Sequence, residues 1–126
     1  MSQGANSFIL FFMSNKIRAK KRFSQNFFQD KEALSFCLEM LDLSPEDTVL
    51  EIGPGKGVLT EELLKRAKEV TAIEIDRDLF AYLERHFTDH PRLSLIQGDF
   101  MNYDLNEFAP DIPTEQRKLI ANIPYH

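Results

Sequence analysis

Residues suited to ligand binding and chemistry follow four short apolar runs of the sequence. The first is a glycine-rich loop, Gly53-Pro54-Gly55-Lys56-Gly57, which comes directly after the run Thr48–Ile52. Glycine lets a backbone approach a ligand closely, and the unpaired N–H groups at the start of a following helix can face that ligand. A tight turn between a strand and a helix needs the same residues. The loop alone therefore leaves both interpretations open.

An acidic residue follows the second apolar run at a spacing typical of ribose binding. Glu74 lies 21 residues after Gly53. An acid about 20 residues past such a loop can accept hydrogen bonds from two ribose hydroxyls. The neighbouring Asp76 fits better as an acid at the start of a helix, where the helix dipole favours it. The loop and Glu74 together predict a cofactor that contains a nucleoside.

The pattern of the loop favours S-adenosylmethionine as this cofactor. The nicotinamide fingerprint is G-x-G-x-x-G, whereas the third glycine here arrives one residue earlier, at Gly57. Glu51 also departs from the apolar strand that usually precedes an NAD site. An NAD-dependent oxidoreductase stays open as an alternative, because it shares the loop and the acid, but it does not account for the end of the fourth run.

The third run is followed by Gly98-Asp99-Phe100. A carboxylate at Asp99 can accept a hydrogen bond from the exocyclic amine of adenine, with Phe100 against the ring. An Asx-type turn after a strand is the structural alternative. We expect these two residues to contribute to the cofactor site.

The fourth run ends in Asn122-Ile123-Pro124-Tyr125, which is the most specific element of the sequence. The N6 amine of adenine is a poor nucleophile because its lone pair is delocalised into the ring. The amide oxygen of Asn122 and the carbonyl of Ile123 or Pro124 can accept its two N–H bonds and favour a pyramidal nitrogen. Tyr125 offers a face on which a flipped base can stack, an interaction worth about 1–3 kcal/mol. Catalysis would then need no strong general base, because much of it comes from aligning the amine with the methyl group and the sulfur of the cofactor.

Alternating helical and strand patterns must position these residues. Helical spacing begins at Lys31 and recurs after the loop and after Asp76, and the four strand-like runs lie between these segments. Such alternation predicts an α/β fold with a parallel sheet. Because ligands bind at the carboxyl ends of parallel strands, we expect the candidate residues to converge there.

Composition and charge exclude several classes of protein. The 126 residues fit one globular domain, and no apolar run approaches the roughly 18 residues of a membrane span. The single Cys37 cannot form an internal disulfide or a Cys-rich metal site, which suits the cytoplasmic protein that we expect. His86, His90 and His126 show no metal spacing, and a helix end explains the i, i+4 placement of His86 and His90 better than a metal does, so we expect no metal. Residues 1–29 carry five basic side chains and no acid, although the whole chain has a net charge of −5. We expect residues 1–22 to form a flexible basic arm, which a phosphate-rich partner could contact.

With these motifs in place, the sequence resembles the adenine N6-dimethyltransferases of small-subunit ribosomal RNA. It is more loosely similar to the macrolide-resistance methyltransferases of large-subunit RNA. The resemblance runs from Arg22 to Tyr125, and the stretch Arg22–Phe28 resembles the family's N-terminal Q-N-F motif. It implies a Rossmann-like class I S-adenosylmethionine-dependent methyltransferase domain over residues 23–126.

The resemblance also implies roles for individual residues. Asn26 and the backbone at Phe28 would contact the methionine part of the cofactor, and Gly53 and Gly55 would contact the cofactor from the glycine loop. Glu74 would bind the ribose, and Asp99 with Phe100 the adenine. Asn122 would contact both cofactor and target amine. The catalytic set would be Asn122, Pro124 and Tyr125, and the partner would be precursor small-subunit RNA, bound by a monomer.

The sequence departs from the family pattern at Phe28, where Leu is usual, and at His126, where Asn is common. It also ends after the fourth predicted strand, so we expect the family's helical C-terminal domain to be absent. We therefore expect a truncated sheet whose fourth strand is an open edge with unpaired backbone groups. A non-catalytic RNA-binding or ribosome-binding module that keeps the cofactor fold remains a second hypothesis.

Overall fold

The computed structural model describes residues 9–12 and 31–121, with side chains for 31–121. The chain order of the elements is β1 Ile9–Phe12, α1 Lys31–Leu41, β2 Thr48–Ile52, α2 Val58–Arg66, β3 Glu69–Glu74, α3 Arg77–His86, β4 Leu93–Gln97 and β5 Arg117–Ala121. Three short 3₁₀ turns lie between β4 and β5, at Phe100–Asn102, Leu105–Glu107 and Thr114–Gln116. None of the described helices is long and apolar enough to cross a bilayer.

The strands form one parallel sheet in the order β1-β5-β2-β3-β4. This arrangement confirms the α/β fold with a parallel sheet, and each helix and strand predicted over residues 31–121 is present. Strand β2 lies between β5 and β3 and is buried along its whole length. Because all strands run the same way, the carboxyl ends of β2, β3, β4 and β5 meet at one edge of the sheet.

The expectation of an open edge at the fourth predicted strand, β5, was wrong. Strand β1 pairs with β5, with Leu10 opposite Leu119 and Phe12 opposite Ala121. Residues 9–12 are therefore a strand rather than part of a flexible arm. The physical reason is that the unpaired N–H and C=O groups of an edge strand favour pairing, and an aromatic and β-branched segment suits that role. The division of the chain at residue 22 stays a prediction.

Alternate side chains of the strands enter two apolar clusters on opposite faces of the sheet. On one face, Val49, Val70 and Ile120 pack with α1 and α2. On the other face, Leu50, Ile73 and Leu119 pack with Phe108 and with half-buried residues of the segment 100–109. This two-residue alternation follows from strand geometry. Each face thus has its own core, and both cores meet the central strand β2.

A buried ion pair joins β5 to the end of α1. Lys118 Nζ lies 2.9 Å from Asp47 Oδ2 and donates to the carbonyl oxygens of Leu41 and Asp42, each at 2.9 Å. Both charged side chains are almost fully buried. The last carbonyls of a helix lack partners within the helix, so the Lys118 ammonium satisfies that of Leu41, together with that of Asp42 just after the helix, while it neutralises Asp47.

Candidate functional site

The glycine loop lies at the carboxyl end of β2, and its glycine amides are hydrogen-bonded within the protein. Gly53 N donates to Ile73 O at 2.9 Å, and Gly57 N donates to Pro54 O at 2.9 Å. Gly55 N donates to the carboxylate of Glu74, with 3.1 Å between N and Oε1. A Cβ added at Gly55 would meet no atom within 4 Å, so the space above this part of the loop is open.

Glu74 closes the loop from the end of β3. Its Oε1 accepts from Gly55 N, and its Oε2 accepts from Asp76 N at 2.9 Å. The side chain is consequently buried, with 4% of the residue exposed. Each carboxylate oxygen keeps a second lone pair for another donor. The structure thus brings together Glu74 and the loop, which the sequence placed at the ends of two different strands.

Asp76 begins α3, as the sequence predicted. Its Oδ1 accepts from the backbone N–H groups of Asp78 at 2.8 Å and Leu79 at 3.0 Å. This is the usual hydrogen-bonding pattern of an N-terminal helix cap. Asp76 is therefore occupied by a structural role, which leaves Glu74 as the acid facing the loop.

A mainly apolar cavity of about 240 Å³ lies beside the loop, at the ends of β2, β3 and β4. It is lined by Ile52, Gly53, Ile73, Ile75, Gly98, Asp99, Phe100 and Met101. The predicted residues Gly53, Asp99 and Phe100 thus share one cavity. Asp99 also caps the 3₁₀ turn after it, because its Oδ1 accepts from Met101 N at 2.9 Å. The structure is therefore compatible with Asp99 both as a ligand of adenine and as the first residue of an Asx-type turn.

Sequence reasoning missed two apolar side chains of this cavity. Ile75 is 62% exposed and Met101 is 81% exposed, although large apolar side chains usually avoid water. The carbonyl of Ile75 is held by Gln97 Nε2 at 2.9 Å. The sequence could have pointed to both residues, because each lies close after a predicted site acid: Ile75 follows Glu74, and Met101 follows Asp99 at two residues.

Glu51 is a buried acid beneath the loop. Its Oε1 accepts a 2.6 Å hydrogen bond from Thr60 Oγ1 in the first turn of α2, and 1% of the residue is exposed. The pKa of Glu51 is raised to about 7, mainly by burial; the Thr60 hydrogen bond opposes this rise, and the Glu74 carboxylate adds to it. The sequence singled out Glu51 only as unlike an NAD strand, and its pairing with Thr60 required the tertiary structure.

The other predicted site residues lie outside the described part of the chain. These are Asn26 and Phe28 before α1, and Asn122, Pro124 and Tyr125 after β5. The last described residue, Ala121, pairs with Ile52, the residue directly before the glycine loop. The roles of all five residues stay predictions.

His86 lies at the protein surface, and Cys37 lies in the core. His86 Nε2 lies 3.3 Å from Glu61 Oε2 at the surface, and the His86 ring stacks on Tyr82. Cys37 is a core residue of α1, and burial followed by the nearby Glu51 raises its pKa to about 12. Within residues 31–121, no three His, Cys, Asp or Glu side chains are grouped as metal ligands.

Comparison with known proteins decides the family. Residues 16–126 match the family model described as ribosomal RNA adenine dimethylase. The chain belongs to this family. The match includes the Q-N-F stretch, the glycine loop and the residues after β5, so it confirms the resemblance drawn from the motifs.

Individual relatives agree with this membership. Ribosomal RNA small subunit methyltransferase A of Picosynechococcus sp. is 43% identical over 112 residues, which are 87% of this chain and 41% of the relative. A dimethyladenosine transferase structure from Plasmodium falciparum has a TM-score of 0.63 and 28% identity, covering 76% of this chain and 33% of the other. The structure of 23S rRNA methyltransferase ErmE has a TM-score of 0.55 and 37% identity, covering 60% and 31%.

The chain spans about two-fifths of the length of its curated relatives. The family match over residues 16–126 contains strands β2 to β5, the glycine loop and the acids at the ends of β3 and β4. The similarity to these relatives therefore covers the fold of this chain and the residues that we predict to bind the cofactor.

Proposed function

We propose that this chain is the cofactor-binding part of an S-adenosylmethionine-dependent enzyme that dimethylates adenosine N6 in precursor small-subunit ribosomal RNA. The observation that carries the proposal is the closure of the glycine loop by Glu74, next to an apolar cavity with Asp99 at its edge. The names of the related proteins support the same reaction.

The residues present fit S-adenosylmethionine better than a dinucleotide. A pyrophosphate is normally held by free loop amides, but the amides of Gly53, Gly55 and Gly57 donate within the protein. The carboxylate of Glu74 at Gly55 would also repel a phosphate. S-adenosylmethionine carries ribose and adenine without phosphate and has a net positive charge, which suits a site with several acids.

Described residues would hold the nucleoside end of the cofactor. Glu74 would accept hydrogen bonds from the ribose hydroxyls through its remaining lone pairs. Asp99 would accept from the adenine amine, and the apolar side chains of Ile75, Phe100 and Met101 would cover the ring. An apolar cavity with a few oriented polar groups is the usual form of such a site.

The residues after β5 would orient the target base. The amide oxygen of Asn122 and a carbonyl at Ile123 or Pro124 would accept from the N6 amine, while Tyr125 would stack on the base. The cofactor, when bound, supplies a methyl group on a positively charged sulfur. Asn26 and Phe28 would contact the methionine part, as the family resemblance implies.

The proposal also covers the substrate RNA, the cellular location and the oligomeric state. The small-subunit assignment is supported by the curated relatives, whereas the similarity to ErmE keeps a large-subunit RNA as the second candidate. We place the protein in the cytoplasm as a monomer, with the basic residues of segment 16–22 beside the RNA. A non-catalytic RNA-binding module would keep the fold without needing Asn122, Pro124 and Tyr125.

Calorimetric titration of the folded chain with S-adenosylmethionine tests the cofactor. We expect saturable binding, no binding of NAD, and at least a tenfold loss of affinity in Glu74→Ala, since two hydrogen bonds to a charged group are removed. Glu84→Ala, which removes an exposed acid of α3, is the matched control. A folded chain that binds NAD instead, or binds neither compound, would contradict the assignment.

Transfer of labelled methyl groups to RNA separates the functional alternatives. Small-subunit and large-subunit ribosomal RNA are offered in parallel to the chain and to Asn122→Ala. Methylation of the small-subunit RNA alone, abolished by the substitution, supports the proposal. Methylation confined to the large-subunit RNA favours the second substrate, and RNA binding without any transfer favours the non-catalytic module.

A further inference from the structure

Gln97, the last residue of β4, makes a contact that the proposed function does not use. The residue is exposed, and its Nε2 donates to the carbonyl oxygen of Ile75 at 2.9 Å. Because a carbonyl oxygen only accepts hydrogen bonds, the nitrogen of the glutamine amide must be the atom that faces it. The contact joins the end of β4 to the first residue after β3, and Ile75 lines the cavity in which we place the adenine.

The carbonyl of Ile75 belongs to the same peptide unit as the N–H of Asp76. That N–H donates to Glu74 Oε2 at 2.9 Å, and Glu74 Oε1 accepts from Gly55 N at 3.1 Å. A peptide unit is planar, so a group that holds its carbonyl oxygen also fixes the direction of its N–H. A chain of hydrogen bonds therefore runs from Gln97 through one rigid peptide to the Glu74 carboxylate and then to the glycine loop.

The hydrogen bonds of this chain reinforce one another. Donation to the carbonyl of a peptide polarises the peptide and strengthens donation by its N–H, because linked hydrogen bonds are cooperative. The Gln97 amide thus strengthens the bond that orients Glu74 Oε2. A carboxylate held at both oxygens in this way keeps its remaining lone pairs in fixed directions.

The backbone of Glu74 is tied to the same strand. Gln97 lies opposite Glu74 in the register of β3 and β4, and Gly98 N donates to Glu74 O at 3.0 Å. This bond holds the main chain of Glu74, whereas the Gln97 side chain holds the peptide that follows. Strand β4 therefore acts on the cavity in two ways, because Asp99 follows it directly and Gln97 controls the neighbours of Glu74.

We propose that Gln97 is a positioning residue for the nucleoside half of the cofactor, which holds the Ile75–Asp76 peptide so that Glu74 presents its carboxylate to the ribose hydroxyls. This inference rests on the proposed function. The role belongs to the nucleoside half because Glu74 and Ile75 are the residues that we place against the ribose and the adenine. Orientation of a binding group before the ligand arrives lowers the cost of binding.

Calorimetric titration of the full chain at neutral pH tests the inference without measuring activity. Gln97→Met keeps the length of the side chain and removes its donor. We expect an affinity for S-adenosylmethionine that is weaker by about threefold to tenfold, the range expected for one hydrogen bond. The compound 5′-methylthioadenosine, which has the nucleoside but no amino-acid part, should lose affinity by the same factor. Ser94→Ala, a change at another exposed position of β4, should leave both affinities unchanged.

A double-mutant cycle with Glu74→Ala separates positioning from a general effect on the fold. If Gln97 acts through Glu74, the two changes are not additive, and Gln97→Met should weaken binding by less than about twofold in the Glu74→Ala background. The same loss in both backgrounds would show that Gln97 acts independently of Glu74 and would overturn the inference. A loss for S-adenosylmethionine that 5′-methylthioadenosine does not share would also overturn it.

Gln97→Glu provides a second variant if Gln97→Met does not fold. It keeps the shape of the side chain and, being ionised at neutral pH, has no donor for the Ile75 carbonyl, so we expect at least the loss predicted for Gln97→Met. Unchanged binding of both compounds by these variants would refute the inference alone. Failure of the unsubstituted chain to bind either compound would instead refute the proposed cofactor, and the inference with it.

Discussion

Single residues determine how close the glycine loop lies to its neighbours. Gly57 has a φ of +87°, and a Cβ at this position would lie 2.7 Å from Cε2 of Phe87 and 3.1 Å from Cδ2 of Leu83. Helix α2 therefore begins in close contact with α3 and the residue that follows it. Gly55 has a φ of +60° but open space where a Cβ would be. The same residue type thus meets close packing at one position and open space at the other.

Gly57→Ala should lower the free energy of unfolding by about 2–4 kcal/mol, because backbone strain and overpacking add. Gly55→Ala is the matched control, with strain alone costing about 1–2 kcal/mol. Urea denaturation of both variants measures the difference. Equal losses in the two variants would show that the contact with Phe87 is not important.

The pH dependence of stability should report the buried Glu51. Its pKa in the folded protein is about 7, above its ordinary value of 4.5. Below pH 4.5 the acid is protonated in both states, and as the pH rises to 7 only the unfolded state ionises. Stability should therefore fall by about 3 kcal/mol between pH 4.5 and pH 7 from this group. Denaturation of Glu51→Gln at matched pH values should lack this fall; an unchanged slope would contradict the assignment.

At the scale of elements, Lys118 connects three parts of the structure. It reaches from β5 to the carbonyl of Leu41 at the end of α1, to that of Asp42 just after it, and to Asp47, the residue before β2. Asp47 in turn accepts from Ser44 N at 2.8 Å, which holds the turn between α1 and β2. The ion pair lies at the opposite end of the strands from the glycine loop, so it supports the sheet rather than the site.

Lys118→Met should cost about 3–5 kcal/mol of stability, since it leaves Asp47 buried without its partner. Lys65→Met is the matched control, because its contact with Glu62 is an exposed pair 3.2 Å apart and should be worth less than about 1 kcal/mol. Thermal or urea unfolding of the two variants gives the comparison. Similar small losses would indicate that the Lys118 ion pair contributes little net stability.

At the scale of the whole molecule, pairing with strand β1 makes β5 an interior strand of the sheet instead of an edge strand. The predicted catalytic residues Asn122, Pro124 and Tyr125 follow the carboxyl end of β5 in the sequence, and β5 is held on both sides, by β1 and by β2. Pairing on both sides protects the backbone groups of the strand and removes an edge that favours aggregation. The N-terminal segment therefore helps to hold the strand that precedes the predicted catalytic residues.

Deletion of residues 1–12 should increase the rate of amide exchange in β5, because one row of its hydrogen bonds is lost. Hydrogen–deuterium exchange should show faster labelling of peptides that contain Leu119 and Ile120. Peptides of β3, which lies between β2 and β4, serve as the internal control. Unchanged protection of β5 would mean that β1 is not a stable neighbour in solution.

Local patterns in the sequence determined most of the fold and the list of candidate residues. Hydrophobic periodicity over 31–121 predicted three helices and four strands, because packing on a shared core imposes a period on every element. The glycine loop, Glu74 and Asp99 were identified because turns, ribose and adenine each require particular residue types. The Q-N-F stretch entered through family resemblance, and its role is still a prediction.

Only the tertiary structure decided which groups touch across elements. The pairing of β1 with β5, the contact of Glu74 with Gly55, the Glu51–Thr60 hydrogen bond and the Lys118–Asp47 ion pair all join elements whose relative placement no local pattern specifies. Each depends on strand order and register, which follow from the folding of the whole sheet. The sequence by itself determined the residue types that a nucleoside site needs, whereas the sheet determined which of them meet, because contact energies depend on distances that only the folded chain sets.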